Sequence, residues 1–159
     1  AVAVAMADGT MDEIFAAALS AAPEDTWFRH AMTTAFDIVD KAEGDVLRAW
    51  MPLHDELWTS YKAAVSEAVA QAFGVLKLSD GQFRLGVTLA GNFGRDADTI
   101  GAIVGAVLGA RNGASQIPPA WVEKTRYPTG TCLAFTKGLD LMEVADKMAD
   151  CALQQGKGE

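Results

Sequence analysis

One stretch of this sequence, Gly91 to Trp121, limits the fold more than any other, because its apolar run from Ile100 to Ala110 carries glycine at 101, 105 and 109. Residues four apart share a helical face, so these glycines form a stripe without side chains along a helix predicted over roughly Ala97 to Asn112. Such a stripe lets another backbone come close, which predicts a buried helix. Gly113 stands where a left-handed C-terminal cap belongs. Pro118-Pro119 suits the opening of a further helix, since proline at the first helical position removes no needed donor. Immediately ahead of the apolar run, Gly94-Arg95-Asp96-Ala97-Asp98-Thr99 forms a glycine-led turn that brings two carboxylates and a hydroxyl to the start of the helix.

Those side chains are hard oxygen donors, the kind that Mg²⁺ and Mn²⁺ take, whereas zinc prefers Cys and His. Spaced as Asp-x-Asp-Thr at a helix start, Asp96, Asp98 and Thr99 can turn their oxygens toward one cavity. The same residue types are favoured there for a plainer reason: they cap free amides and complement the helix dipole. Asparagine caps about as well as aspartate, so replacing Asp by Asn separates capping from metal binding.

The rest of the chain reads as helix after helix. Thr10-Met-Asp-Glu13 has the form of a capping box, followed by Ile14, Phe15, Ala18, Leu19 and Ala22 at helical spacing. After Pro23-Glu24-Asp25, a helix carries Trp27, Phe28, Ala31, Met32, Ala35, Phe36 and Val39 on one stripe, and Gly44 ends it. Asp45 to about Trp58 is a third segment, which Pro52 is expected to end or kink. Ser60 to Phe73 is expected to be helical and stopped by Gly74, with Ser79-Asp-Gly-Gln82 as a second capping box before a helix bearing Phe83, Val87 and Ala90. Asp140 and Glu143 open a last helix with Leu141, Val144, Ala145, Met148 and Ala152 turned inward, and Gln154 to Glu159 is expected to fray. Trp27, Trp50, Trp58 and Phe36 share stripes with aliphatic residues and are read as core, while His30 and His54 are read as surface or structural residues. No repeat or linker divides the chain, so one all-α unit of eight or nine helices is expected over residues 1–159.

Half of the residues are hydrophobic, enough for one core in 159 residues and few for two. A formal charge of −8 argues against nucleic-acid binding, which asks for a basic footprint. It leaves room for a diphosphate, because a bound divalent cation supplies local positive charge. Cys132 and Cys151 are the only cysteines, which indicates neither a zinc ribbon nor a disulfide framework and points to a reducing, cytoplasmic setting. The run Ile100 to Ala110 is too short for a bilayer, which takes about 20 residues, so no membrane partner is expected. The opening, Ala1 to Ala7, lacks the basic flank of a signal peptide and reads as a helix cut in its middle.

Taken together, Gly94 to Thr99, the small-residue helix and Ile117-Pro118-Pro119-Ala120-Trp121 resemble the C-terminal signature of the ADP-ribosylglycohydrolase family. That signature is a Gly-x-Asp-x-Asp-Thr turn, a buried alanine- and glycine-rich helix, then Ile-Pro and a tryptophan-bearing helix. Arg95 departs from it, since many members carry a second glycine there. The resemblance implies a compact orthogonal helical bundle, with residues 1–159 forming about half of it, the C-terminal half. It implies a hydrolase that cleaves the glycosidic bond at the anomeric carbon of ADP-ribose or a related ribosyl conjugate. Asp96 and Asp98 would be catalytic, and with Thr99 they would ligate two Mg²⁺ ions, or Mn²⁺ in their place. Asn92, Gly94 and Arg95 would border the ADP-ribose or ADP-ribosylated substrate. The N-terminal half of such enzymes carries a Thr-Asp-Asp cluster that this chain lacks, so that half is the implied partner. The alternative is a non-catalytic relative, similar to lens crystallins that keep the fold; retention of both aspartates and the threonine argues for the enzyme.

Overall fold

The structure, a computed structural model, describes residues 1–155. Among the described residues every regular element is helical: α1 (Val2–Met6), α2 (Met11–Ala21), α3 (Trp27–Lys41), α4 (Val46–Asp55), α5 (Val65–Leu78), α6 (Phe83–Asn92), α7 (Ala97–Asn112), α8 (Pro119–Thr125) and α9 (Leu141–Gln155), with 3-10 turns at Ala114–Gln116 and Ala134–Thr136. The all-α expectation holds. Contacts gather the chain into two units, Ala1–Gln116 and Ile117–Glu159.

In the first unit the enclosed helix is α5. Ala68, Ala70, Ala72, Phe73, Val75, Leu76 and Leu78 are buried on all its sides, as are Glu67, Gln71 and Gly74. A helix apolar all round belongs in the middle of a core. α3 lies along it, and α4, α6 and α7 pack around the rest. Phe15, Phe36 and Phe73 join α2, α3 and α5, with ring centroids 5.1 to 6.4 Å apart. Gly74 continues α5 rather than stopping it: a Cβ there would lie 2.8 Å from Leu53 Cδ2, so the missing side chain is what lets α4 approach.

The helix expected to be buried, α7, has one covered side, made by Ile100, Val104, Val107 and Leu108. Its glycine stripe is not gripped. A Cβ at Gly101 would meet nothing within 4 Å, and at Gly105 and Gly109 it would be in ordinary contact at best. The glycine that brings α6 against α7 sits on the facing helix, where a Cβ at Gly86 would lie 2.6 Å from Leu108 Cδ1.

Capping decides where several helices begin. The Thr10 and Glu13 capping box forms as expected, with Thr10 N–H donating to Glu13 Oε2 at 2.8 Å and Glu13 N–H to Thr10 Oγ1 at 3.3 Å. Ser79 and Gln82 do not form one: Ser79 Oγ donates back to the Leu76 carbonyl at 2.8 Å, and the N-cap is Gln82 without a side-chain bond. Residues 60 to 64 are a turn, not helix, because the preceding residue, Thr59, is bonded to Glu67 and folds the segment over the start of α5. α4 runs through Pro52, held by buried Ala49 and Leu53 on either side, although a mid-helix proline costs about 3 kcal/mol. Trp27 and Trp58, expected in the core, are 83% and 59% exposed.

In the second unit, Arg126 Nε and Nη2 donate to Asp140 Oδ1 and Oδ2 at 2.8 and 2.6 Å, closing the segment between α8 and α9. Leu141, Val144, Ala145, Met148 and Ala152 of α9, expected to face inward, are all exposed. The amphipathic pattern is present, but the second unit by itself does not cover it. The fraying expected of Gln154 to Glu159 falls largely outside the described residues.

Candidate functional site

The acidic turn between α6 and α7 is anchored at its near end by Phe93, which is 2% exposed. Phe93 stacks on the His54 ring at 4.0 Å and 9°, with Trp50 at 5.0 Å. The His54 ring nitrogens lie 2.8 Å from the Trp50 carbonyl and 2.5 Å from the Phe93 carbonyl, so this histidine ties α4 to the turn. Its role is structural, as its isolated position in the sequence suggested; His30 is exposed beside the Trp27 ring.

Gly94 and Arg95 then both take positive φ, +81° and +54°. Glycine adopts this region freely, whereas arginine does so only when its surroundings hold it there. The holding residue is Glu67, wholly buried in the first turn of α5. Arg95 Nε donates to Glu67 Oε1 at 2.5 Å and Nη2 to Oε2 at 2.8 Å, while Nη2 also donates to the Thr59 carbonyl at 2.7 Å. The Thr59 N–H and hydroxyl complete the set on Glu67 Oε2, each at 2.7 Å. Burial pushes the Glu67 carboxyl up, but the bonds from Arg95 and Thr59 and the Arg95 charge outweigh it and hold the group below the usual carboxylate range. The bond from Glu67 in turn holds the Arg95 guanidinium still more firmly charged.

Asp96 follows, 8% exposed, at the N-cap position of α7. It does not cap: its side chain accepts no bond from the helix, and the structure gives its carboxylate no hydrogen bond or ion pair. Asp98, in the first turn, is exposed and Thr99 half-buried, and neither side chain is bonded within the chain. Of the residues expected to border a substrate, Gly94 is exposed and Asn92 is exposed with its Nδ2 donating to the Thr88 carbonyl at 2.8 Å. Arg95 has Nη1 free of bonds within the chain. A groove of about 450 Å³ opens close by, lined by Trp27, His30, Thr34, Glu56, Trp58 and Thr59 among others. Trp58 lies under the Arg95 guanidinium at 5.6 Å.

Sequence reasoning singled out Asp96, Asp98 and Thr99 as candidate donors and passed over Glu67. The signal was there: Glu67 falls on the face of α5 that also buries Gln71, Gly74 and Leu78, and a carboxylate on a buried face demands a partner. The unengaged donors suit a hard cation by type. Among the described residues no group of three or more His, Cys, Asp or Glu side chains gathers in a way that could hold a metal ion, so what this chain offers is two carboxylates and a hydroxyl.

The class these features define is an all-helical protein with a stiffened acidic turn leading into a small-residue helix. The ADP-ribosylglycohydrolase family model matches residues 1–157, and the chain belongs to that family, which places it among the hydrolases. Neither the curated proteins nor the solved structures include a match to it. Among the described residues no helix is long and apolar enough to cross a membrane.

Proposed function

We propose that this chain supplies one half of a divalent-cation site in an enzyme that hydrolyses the glycosidic bond at the anomeric carbon of ADP-ribose or a related ribosyl conjugate. The N-terminal half of the same enzyme would supply the rest. The observation that carries the reading is Asp96, buried at a helix start yet neither capping nor bonded. Its carboxylate oxygens keep contact with solvent and are free to accept a hard cation. Asp98 and Thr99 stand on the same turn and add two further oxygen donors.

Mg²⁺ takes octahedral oxygen coordination and keeps some of its water, so three side chains from one turn leave room for a second contributor. Held by Asp96, Asp98 and Thr99 together with the second contributor, a pair of such ions, Mg²⁺ or Mn²⁺, would supply Lewis acidity toward the ribose diol, a bound water and the departing group. The chain's own residues place negative charge at a fixed point through Asp96 and Asp98. Gly94, without a side chain, allows a sugar to come close; Asn92 and the free Nη1 of Arg95 are the donors beside it. A cytoplasmic setting suits the two unpaired thiols, Cys132 and Cys151.

Titration with Mn²⁺ tests the reading: paramagnetic broadening of amide signals is expected to centre on residues 96 to 100, and Asp96→Asn and Asp98→Asn are expected to abolish it with little change in stability. The 159-residue chain alone is expected to turn over no ADP-ribosylated substrate. Robust hydrolysis by it would refute the half-site, and no broadening at any Mn²⁺ concentration would favour a non-catalytic relative that keeps the fold.

A further inference from the structure

We infer that Glu67 is the positioning residue of the acidic turn, fixing through Arg95 the backbone that aims Asp96 and Asp98; the inference rests on the reading of that turn as a cation site. Gly94 and Arg95 make two successive left-handed steps, and the second is taken by a residue with a Cβ. A non-glycine residue carries strain in that region, which a fixed partner offsets. The restraint comes from 28 positions away, where Glu67 meets the guanidinium with two parallel bonds. Such a fork defines direction as well as distance, which a single ammonium contact does not.

Glu67 has no contact with the donors themselves. Its oxygens are taken by Arg95 and by the N–H and hydroxyl of Thr59, at 2.5 to 2.8 Å. Whatever it does for Asp96 therefore passes through residue 95. Thr59 doubles the restraint, since its carbonyl accepts from the same Nη2 at 2.7 Å. An ion pair that only stabilised the core would have no reason to involve the φ angle of its partner. A positioning pair does, and the two roles part on one substitution: glycine takes positive φ without help, so glycine at position 95 makes Glu67 dispensable for the turn.

The test compares the wild-type chain, Glu67→Gln and the double variant Glu67→Gln/Arg95→Gly by urea midpoint, amide exchange at residues 97 to 100, and Mn²⁺ broadening. Arg95→Gly alone is left out because it strands the Glu67 charge in the core. Glu67→Gln is expected to speed exchange in the turn and weaken Mn²⁺ binding about 10- to 100-fold, the usual effect of losing a group that orients a ligand. The double variant is expected to recover most of that affinity while its urea midpoint stays low. Wild-type exchange and affinity in Glu67→Gln, or a double variant as weak as the single one, overturns the inference. If no protein binds Mn²⁺, the cation reading falls, and exchange alone decides the positioning role: unchanged exchange in Glu67→Gln overturns it, faster exchange sustains it. Should Glu67→Gln fail to fold, Glu67→Asp keeps the charge and shortens its reach, and a wild-type turn in that variant counts against the inference.

Discussion

Gln71 lies one turn beyond Glu67 on the same buried side of α5, and its Oε1 has no hydrogen-bond partner. Its Nε2 makes one long bond, 3.4 Å, to the Leu53 carbonyl. An unsatisfied buried acceptor costs about 1–3 kcal/mol, so Gln71→Met, close in volume and free of that acceptor, is expected to raise stability by about 1 kcal/mol, read as a higher urea midpoint at constant m-value. At this scale the sequence was most legible where chemistry is local. Asp96, Asp98 and Thr99 were singled out as candidate donors through the longer motif around them, since their short spacing alone suits capping as well. The burial of Glu67 could be read from its helix neighbours and a structural role for His54 from its isolation, but their partners could not, lying 28 and 39 positions away. Arg95 was noticed as a departure from glycine, and its partner supplies the physical reason it is tolerated.

Two glycines on facing helices make opposite predictions for the same change. Gly86→Ala puts a Cβ 2.6 Å from Leu108 Cδ1 and 3.1 Å from Val104 Cγ1, and is expected to destabilise by about 1–3 kcal/mol through overpacking. Gly101→Ala meets open space and is expected to stabilise by about 0.5–1 kcal/mol, the helix-propensity difference between the two residues. Thermal denaturation of the two variants checks the contrast, and a destabilised Gly101→Ala would mean that the stripe is packed after all. The pair also shows why α7 was found to the residue while its surroundings were misjudged. Periodicity shows which side of a helix lacks side chains; it does not show which helix makes the close approach. α9 repeats the point, with a legible apolar stripe that the second unit by itself leaves uncovered. Gly74 misled, and the helix did not end at Pro52, for a related reason: burial of their neighbours overrode the local preference to break a helix.

For the molecule as a whole, carboxylates held below their ordinary range make stability depend on acid: Glu13 and Glu67 in the first unit and Asp140 in the second. Glu67 titrates lower folded than its unfolded value of 4.5, so its contribution is complete above that pH and is lost as pH falls through the lowered value. Asp140 is brought down from 3.8 to about 2, chiefly by its bonds from Arg126, so its contribution to the second unit is complete above 3.8 and is lost progressively as pH falls from there through about 2. Glu67→Gln is expected to flatten the acid limb of a urea-midpoint profile below pH 4.5 for the first unit. Asp140→Asn is expected to do the same for amide signals of α9 between pH 3.8 and 2. Family membership was legible at this scale because one motif of about thirty residues is specific, and helical content because apolar spacing recurs all along the chain. The division into two units was not, as no change of composition marks residue 116. The guanidinium of Arg95 touches Thr59 and Glu67 together. The loop before α5 and the loop before α7 therefore share a rivet: a shove on Trp58 or Thr59 is felt at the acids, more than thirty positions downstream.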